Sequence, residues 1–155
     1  MTNSTAVEPT DDLLKLENQV CFALAVASRS VIALYRPVLE PMGLTHPQYL
    51  VMLALWEQSP RTVAGLGRAL ELEPATLSPL LKRLEASGLI KRNRDPRDER
   101  MLRVELTDAG VALREQALTI PPRIIQRLGL ELSELENLRT VLRSVIAAAT
   151  ASPAA

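Results

Sequence analysis

Gly88–Thr107 reads GLIKRNRDPRDERMLRVELT, and within it the spacing of apolar residues falls from a helical period to a period of two. Leu102, Val104 and Leu106 alternate with Arg103 and Glu105, the pattern of a strand with one buried face. Leu89–Arg92 is a second strand candidate, with Asp95 and Pro96 as turn formers in the charged loop that follows. The reading is a β-hairpin with strands at Leu89–Arg92 and Met101–Leu106, set in a chain whose other segments are helical by pattern.

Immediately upstream, EPATLSPLLKRLEASG predicts a helix with Pro74 near its start and Ser87 and Gly88 at its end. Thr62–Leu70 predicts a shorter helix before it, despite Gly65 and Gly67. His46 and Pro47 open a helix that runs to about Gln58 and is closed by Ser59 and Pro60. Further back, Leu13, Leu16, Val20, Leu24, Ala27, Val31, Leu34 and Val38 form one stripe along a long first helix, ended by Pro41 and Gly43. Downstream, Thr107 or Asp108 caps a helix to about Thr119, Pro121 and Pro122 interrupt it, and a last helix spans Ser133–Ala149. Ser133 and Glu136 stand in capping-box spacing, and the final SPAA is expected to fray.

With 155 residues and 47% hydrophobic content, the chain suits one compact domain or a small obligate oligomer. Its N-terminus, MTNSTAVEPTDD, is polar and acidic, and no stretch approaches the roughly eighteen consecutive apolar residues of a spanning helix. Neither a membrane span nor a signal peptide is expected, and the expected location is the cytoplasm. A single cysteine, Cys21, supplies neither an intramolecular disulfide nor a zinc cluster. Any chemistry at it needs an outside partner, and no cofactor is expected. The net charge of zero is uneven: residues 61–103 hold ten Lys and Arg against six Asp and Glu, while residues 1–60 hold three against six. Six basic residues lie within Lys91–Arg103 alone, a patch that suits a polyanion or, more plainly, a solvated face.

Two short helices, a turn and a charged hairpin make a winged helix-turn-helix. The expected fold is mainly α with a small β-hairpin: a winged lobe at 46–106, a connecting helix at 107–119, and dimerisation helices at 11–45 and 120–150. The second helix of such a pair enters the major groove of double-stranded DNA, with phosphate contacts giving affinity and base edges giving sequence. Thr76, Ser78, Lys82 and Arg83 are the residues expected to face DNA, although Thr76 and Ser78 also suit plain helix capping. Pro79 removes a helical hydrogen bond on that helix and should leave the Ala75 carbonyl unpaired or the helix bent. Arg94 and Arg97 suit a minor groove, and Asp98 is expected to pair with Arg100 or another loop arginine and stiffen the wing.

GLIKRNRDPRDERMLRVELTDAG resembles the wing of the MarR family of dimeric transcription regulators, in which an Asp-x-Arg element, here Asp98 and Arg100, precedes the second strand and a Leu-Thr-x-x-Gly run, here Leu106–Gly110. More narrowly, ENQVCFALAVASRSVIALYRPVLEPMGLTHPQYLVMLALWE is similar to the N-terminal block of the family's organic-hydroperoxide-sensing OhrR branch, and TLSPLLKRLEASGLIKR resembles that branch's recognition helix. The resemblance implies a homodimeric repressor that holds an inverted-repeat operator when reduced and leaves it when its N-terminal cysteine is oxidised by an organic hydroperoxide. Cys21 falls on the sensing position. Members of the branch with two cysteines close an intersubunit disulfide, whereas members with one are completed by a small cellular thiol or by over-oxidation. Only the second route is open here.

On one continuous helix Cys21 and Tyr35 lie within about 40° of the same face but roughly 21 Å apart along the axis. If Tyr35 bonds the Cys21 sulfur, as its counterpart does in the family, it must come from the other subunit, with the first helices antiparallel; otherwise Tyr35 is an amphipathic interface residue. The branch usually has a tyrosine four residues after the cysteine, where this chain has Ala25, and another before the Pro-Gln-Tyr element, where it has His46. Cys21 is expected mid-helix, with Glu17 one turn before it, and neither feature favours a thiolate. His46 would replace a phenol as donor and, if protonated, act as a cation near the sulfur, or it simply opens a helix before proline. Two further functions stay open: a MarR-type regulator that reversibly binds a small phenolic or aromatic-acid ligand, and a thiol peroxidase.

Overall fold

The computed structural model describes residues 6–151, so the expected fraying of the last four residues lies outside the described residues. Seven helices and three strands run in the order α1 Val20–Leu39, α2 His46–Glu57, β1 Arg61–Thr62, α3 Val63–Leu70, α4 Pro74–Ala86, β2 Ile90–Arg94, β3 Leu102–Leu106, α5 Asp108–Ala117, α6 Ile120–Leu128 and α7 Leu132–Ala151. The winged helix-turn-helix is thus present, mainly helical with a small sheet, as the sequence pattern predicts.

Helix α2 is the centre of the lobe. Gln48, Tyr49, Val51, Met52, Ala54 and Leu55 are all buried along it, while Pro47, Leu50, Leu53 and Glu57 leave one stripe exposed. Its start is set by a capping box: the Thr45 side chain accepts from the Gln48 amide, and the Gln48 side chain accepts from the Thr45 amide. Around α2, Leu66 from α3, Leu77, Leu81 and Leu84 from α4, Ile90 from β2 and Val104 from β3 complete one core with Leu39 and Ile120. Leu77, Leu80, Leu81 and Leu84 recur at helical spacing, and their burial turns the opposite side of α4 to solvent.

The sheet has three strands rather than the two of the expected hairpin. Its order is β1-β3-β2, all antiparallel, with Thr62 opposite Arg103 and Asn93 opposite Arg103 on the other side. A strand of two residues has no period to read, which is why β1 leaves no trace in the sequence. The hairpin strands begin one residue later than expected, and β2 runs on to Arg94.

Three other expectations are corrected. The first helix begins at Val20, not Leu13: Asp11–Leu14 and Leu16–Asn18 are 3-10 turns. Asn18 donates from its side chain to the Asp12 carbonyl, and Gln19 likewise to the carbonyls of Leu13 and Lys15, so local side-chain bonds compete with the helix there. Pro121 and Pro122 start a helix instead of only interrupting one, since in the first turn of α6 their missing N–H groups would have had no partner. Helix α7 begins at Leu132, with the Glu134 carboxylate accepting from the Glu131 amide, so the cap lies two residues before the expected Ser133–Glu136 pair.

Helices α1 and α7 are left largely uncovered. Only Val38 and Leu39 of α1 are buried, and no residue of α7 is. Val20, Phe22, Leu24, Val26 and Ile32 on the first, and Leu138, Val141, Val145 and Ile146 on the last, stand exposed. By length and composition alone Val20–Met42 is long and apolar enough to cross a membrane, although Arg29 and Arg36 interrupt its apolar run as the sequence indicates.

Candidate functional site

Thr76, Ser78, Pro79, Lys82 and Arg83 all lie on the exposed face of α4. Their placement follows from the leucines that anchor the other face. Glu73 is the N-cap residue of α4, and no side chain caps it, so Thr76 and Ser78 do not serve as caps. Pro79 is accommodated inside a continuous helix, and the Ala75 carbonyl, which loses the Pro79 donor, lies on the exposed side.

The turn between α3 and α4 is tight. Glu71 holds a left-handed conformation with φ of 53°, and the Leu72 amide donates back to the Gly67 carbonyl over 2.9 Å. A Cβ on Gly67 would stand 3.1 Å from the Leu72 carbonyl oxygen, closer than most side chains tolerate. At the other end of α4, Arg92 of β2 grips Glu85: its amide and Nε donate to one carboxylate oxygen and Nη2 to the other, at 3.1, 3.3 and 3.2 Å. Those bonds hold the Glu85 carboxyl below its ordinary range and tie the hairpin to the end of α4.

The wing loop is stiffened by its own backbone rather than by ion pairs. Asp95 accepts from the Arg97 amide at 2.8 Å, and Asp98 from the Arg100 amide at 3.1 Å. Asp98 therefore does pair with Arg100, but through the main chain and not, as expected, through its guanidinium. Arg94 donates from Nη1 to the Glu99 carbonyl at 2.8 Å and is a strut across the loop. Arg97 and Arg100 keep their side chains at the exposed tip.

The wing's far end is locked to the core at Gly110. The indole Nε1 of Trp56 donates to the Gly110 carbonyl at 2.9 Å, and a Cβ on Gly110 would fall 2.1 Å from the Leu89 carbonyl oxygen. Only glycine fits there. Thr107 caps α5 through the Gly110 amide and donates to the Gly88 carbonyl, closing the junction.

A second group of residues lies where α1 meets α2. The rings of Tyr35 and His46 are 4.9 Å apart at 66°, and Tyr35 and Tyr49 are 5.8 Å apart. Burial pushes both phenols up and the imidazole of His46 down, so all three stay neutral around pH 7. That opposes the expected option of a protonated His46. Tyr49 was not among the expected residues; its signal was its position one helical turn after His46. Beside this group a cleft of about 460 Å³ is lined by Ile32, Arg36, Thr45 and His46, among others.

Cys21 is not in that group. It is exposed near the beginning of α1, not mid-helix, and fourteen residues of one continuous helix separate it from Tyr35. It therefore sits in the first turn of α1, where backbone N–H groups lack helical acceptors.

A second helix of the pair, α4, with an exposed polar face, a stiff basic wing and uncovered terminal helices are the features of a winged helix-turn-helix transcriptional regulator. The chain belongs to the MarR family, whose model matches residues 44–102. It is 41% identical over 135 residues to the organic hydroperoxide resistance transcriptional regulator of Bacillus subtilis, covering 87% of this chain and 92% of the relative. Among solved structures it is similar to reduced AbfR bound to DNA, with 36% identity, a TM-score of 0.77 and coverage of 90% and 96% of the two chains. It is also similar to overoxidised AbfR bound to DNA, at 38% identity and a TM-score of 0.69, covering 86% and 97%; AbfR is a protein of Staphylococcus epidermidis.

Proposed function

We propose that this chain is a cytoplasmic, homodimeric repressor that senses organic hydroperoxides through Cys21 and releases its operator when that residue is modified. The observation that carries the reading is the sole cysteine, exposed at the head of an uncovered apolar helix, in a chain 41% identical to a hydroperoxide-resistance regulator. Burying the exposed stripes of α1 and α7 against a second copy is the economical way to cover them. The domains divide accordingly, with 11–45 and 120–150 dimerising, 46–106 reading DNA and 107–119 connecting them.

On DNA, α4 lies in the major groove. Thr76 and Ser78 bond phosphates or base edges, Lys82 and Arg83 bond phosphates or guanine, and Pro79 packs at the groove wall. The wing follows the backbone into the minor groove, with Arg97 and Arg100 presented at the tip and Arg94 and Asp98 holding its shape. A dimer of such lobes reads an inverted repeat.

The chemistry begins with the Cys21 thiolate. It attacks the distal oxygen of the hydroperoxide, the O–O bond breaks, an S–O bond forms, and the alcohol leaves with the proton. A small cellular thiol then displaces water from the sulfenic acid, leaving a mixed disulfide on Cys21. Over-oxidised AbfR is bound to DNA in its structure, so the bulkier thiol adduct is the form we assign to release. Tyr35 and His46 of the opposite subunit face the sulfur in this dimer.

The test is fluorescence anisotropy of the upstream DNA with stoichiometric organic hydroperoxide and a small thiol. Wild type should let go and Cys21→Ser should hold. If both hold while mass spectrometry finds Cys21 unmodified, the redox reading falls. A second reading, reversible binding of a small phenolic or aromatic acid, is favoured by the cleft at Arg36 and His46, where a guanidinium borders the apolar Ile32. A ligand response unchanged in Cys21→Ser would select it.

A further inference from the structure

The strand that sequence reasoning missed builds a second basic feature. Pairing of β1 with β3 sets Thr62 opposite Arg103, and between this edge, α3 and the wing loop lies a cleft of about 550 Å³. Arg61, Arg68, Arg97 and Arg103 line it, with Asp95 as its one carboxylate.

Most basic residues nearby are already satisfied. Lys91 pairs with Glu105 and Arg92 with Glu85. Arg61 is committed as well, since its Nε donates to the Ala54 and Gln58 carbonyls and its Nη2 is 3.9 Å from Glu57. Asp95 spends a carboxylate oxygen on the Arg97 amide. Among the described residues, Arg68, Arg97 and Arg103 have no carboxylate within ion-pair distance. Three guanidinium groups without an ion pair thus border one cleft, against the single carboxylate of Asp95.

The floor of the cleft is shaped to admit a group. Gly65 lines it in the first turn of α3, and a Cβ there would stand 2.9 Å from Thr62 Oγ1 and 3.7 Å from Arg68 Nη2. The Arg68 guanidinium therefore reaches back over the start of its own helix, and the missing side chain keeps the space beneath it open. Planar guanidinium forks match phosphate oxygens two at a time.

We propose that this cleft is a phosphate seat, held by Arg68 and Arg103 with Arg97 closing it from the wing. Its occupant is a backbone phosphodiester of the bound DNA or a free phosphate; the first source rests on the DNA-binding reading. On DNA, the seat would fix how far the wing is driven toward the minor groove, and it assigns Arg97 to the backbone rather than to the groove floor.

The experiment compares wild type, Arg68→Gln, Arg103→Gln and, as a charge control at the far N-terminus, Lys15→Gln. Operator affinity is measured by anisotropy across a salt series, and the Gly65 amide is followed by NMR while inorganic phosphate is titrated at constant ionic strength. For a DNA phosphate, each arginine variant lowers the slope of log affinity against log salt by about one, while the control keeps it. For free phosphate, the slopes stay equal and Gly65 shifts saturably in wild type but not in Arg68→Gln. Unchanged slopes together with a silent Gly65 overturn the proposal. Should wild type show no salt-dependent DNA binding, the DNA-binding reading fails separately and the phosphate titration alone decides the seat.

Discussion

The imidazole of His46 meets the ring of Tyr35 edge-on, 4.9 Å between centroids, at the point where α1 passes α2. Each is desolvated by the other's elements, which lowers the basicity of the one and the acidity of the other. The pair is therefore neutral at physiological pH and can offer a partner only hydrogen bonds. Replacing His46 by Phe keeps the packing and removes one such donor. Oxidation of Cys21 by an organic hydroperoxide should slow by about tenfold, the worth of one hydrogen bond to a charged group. Stopped-flow peroxide consumption checks this, and an unchanged rate removes His46 from the mechanism.

His46 also gives stability a pH dependence. Its folded-state value lies below the ordinary 6.5, so the unfolded chain takes up the proton first as pH falls. Its contribution is complete above about 6.5 and is lost as pH falls through the depressed folded value. Thermal melts from pH 7.5 to 5 should show a fall in Tm that is shallower in His46→Phe. Parallel curves would show that the imidazole is no more desolvated than in the unfolded chain.

If the donors come from the opposite subunit, mixed dimers will reveal it. A dimer of one Cys21→Ser chain with one Tyr35→Phe, His46→Phe chain retains one cysteine, and that cysteine faces the intact rings of its partner. Its oxidation rate should match a wild-type site. With both lesions in the same chain, the surviving cysteine faces altered rings and should react slowly. Equal rates in the two arrangements would place the donors elsewhere.

Gly110→Ala should be costly beyond helix propensity, which favours alanine. The added methyl would lie 2.1 Å from the Leu89 carbonyl oxygen, forcing α5 away from the wing and stretching the Trp56 bond. A loss of about 1–3 kcal/mol in urea unfolding is expected, with a shift in Trp56 fluorescence. A neutral or stabilising result would mean that this junction moves freely.

What could be read from the sequence was what repeats. The leucines of α4 and the alternation in β3 each extend over several residues, so the helix-turn-helix and the wing were legible, as was the exposed face that carries Thr76, Ser78, Lys82 and Arg83. Features made by single contacts were not. The start of α1 depends on Asn18 and Gln19 bonding backward, and β1 exists only because two residues meet β3. Pro121 and Pro122 look alike whether they end a helix or begin one, and only the packing of Ile120 and Ile124 decides. Helix α2 opens at His46 as expected, but the Thr45–Gln48 capping box that sets this start, present in the sequence as Thr-His-Pro-Gln, went unread beside the histidine and proline.

Helix α7 runs for twenty residues with none of them buried, and α1 buries only its last turn. Neither has much to hold it in a solitary chain, since helical propensity alone seldom suffices in water. Order in these segments would then depend on meeting another copy, so the melting temperature should climb with protein concentration. In a cell this links copy number to survival: newly made chains below the association threshold would be open to proteases, and the regulator would exist in numbers sufficient to pair or scarcely at all.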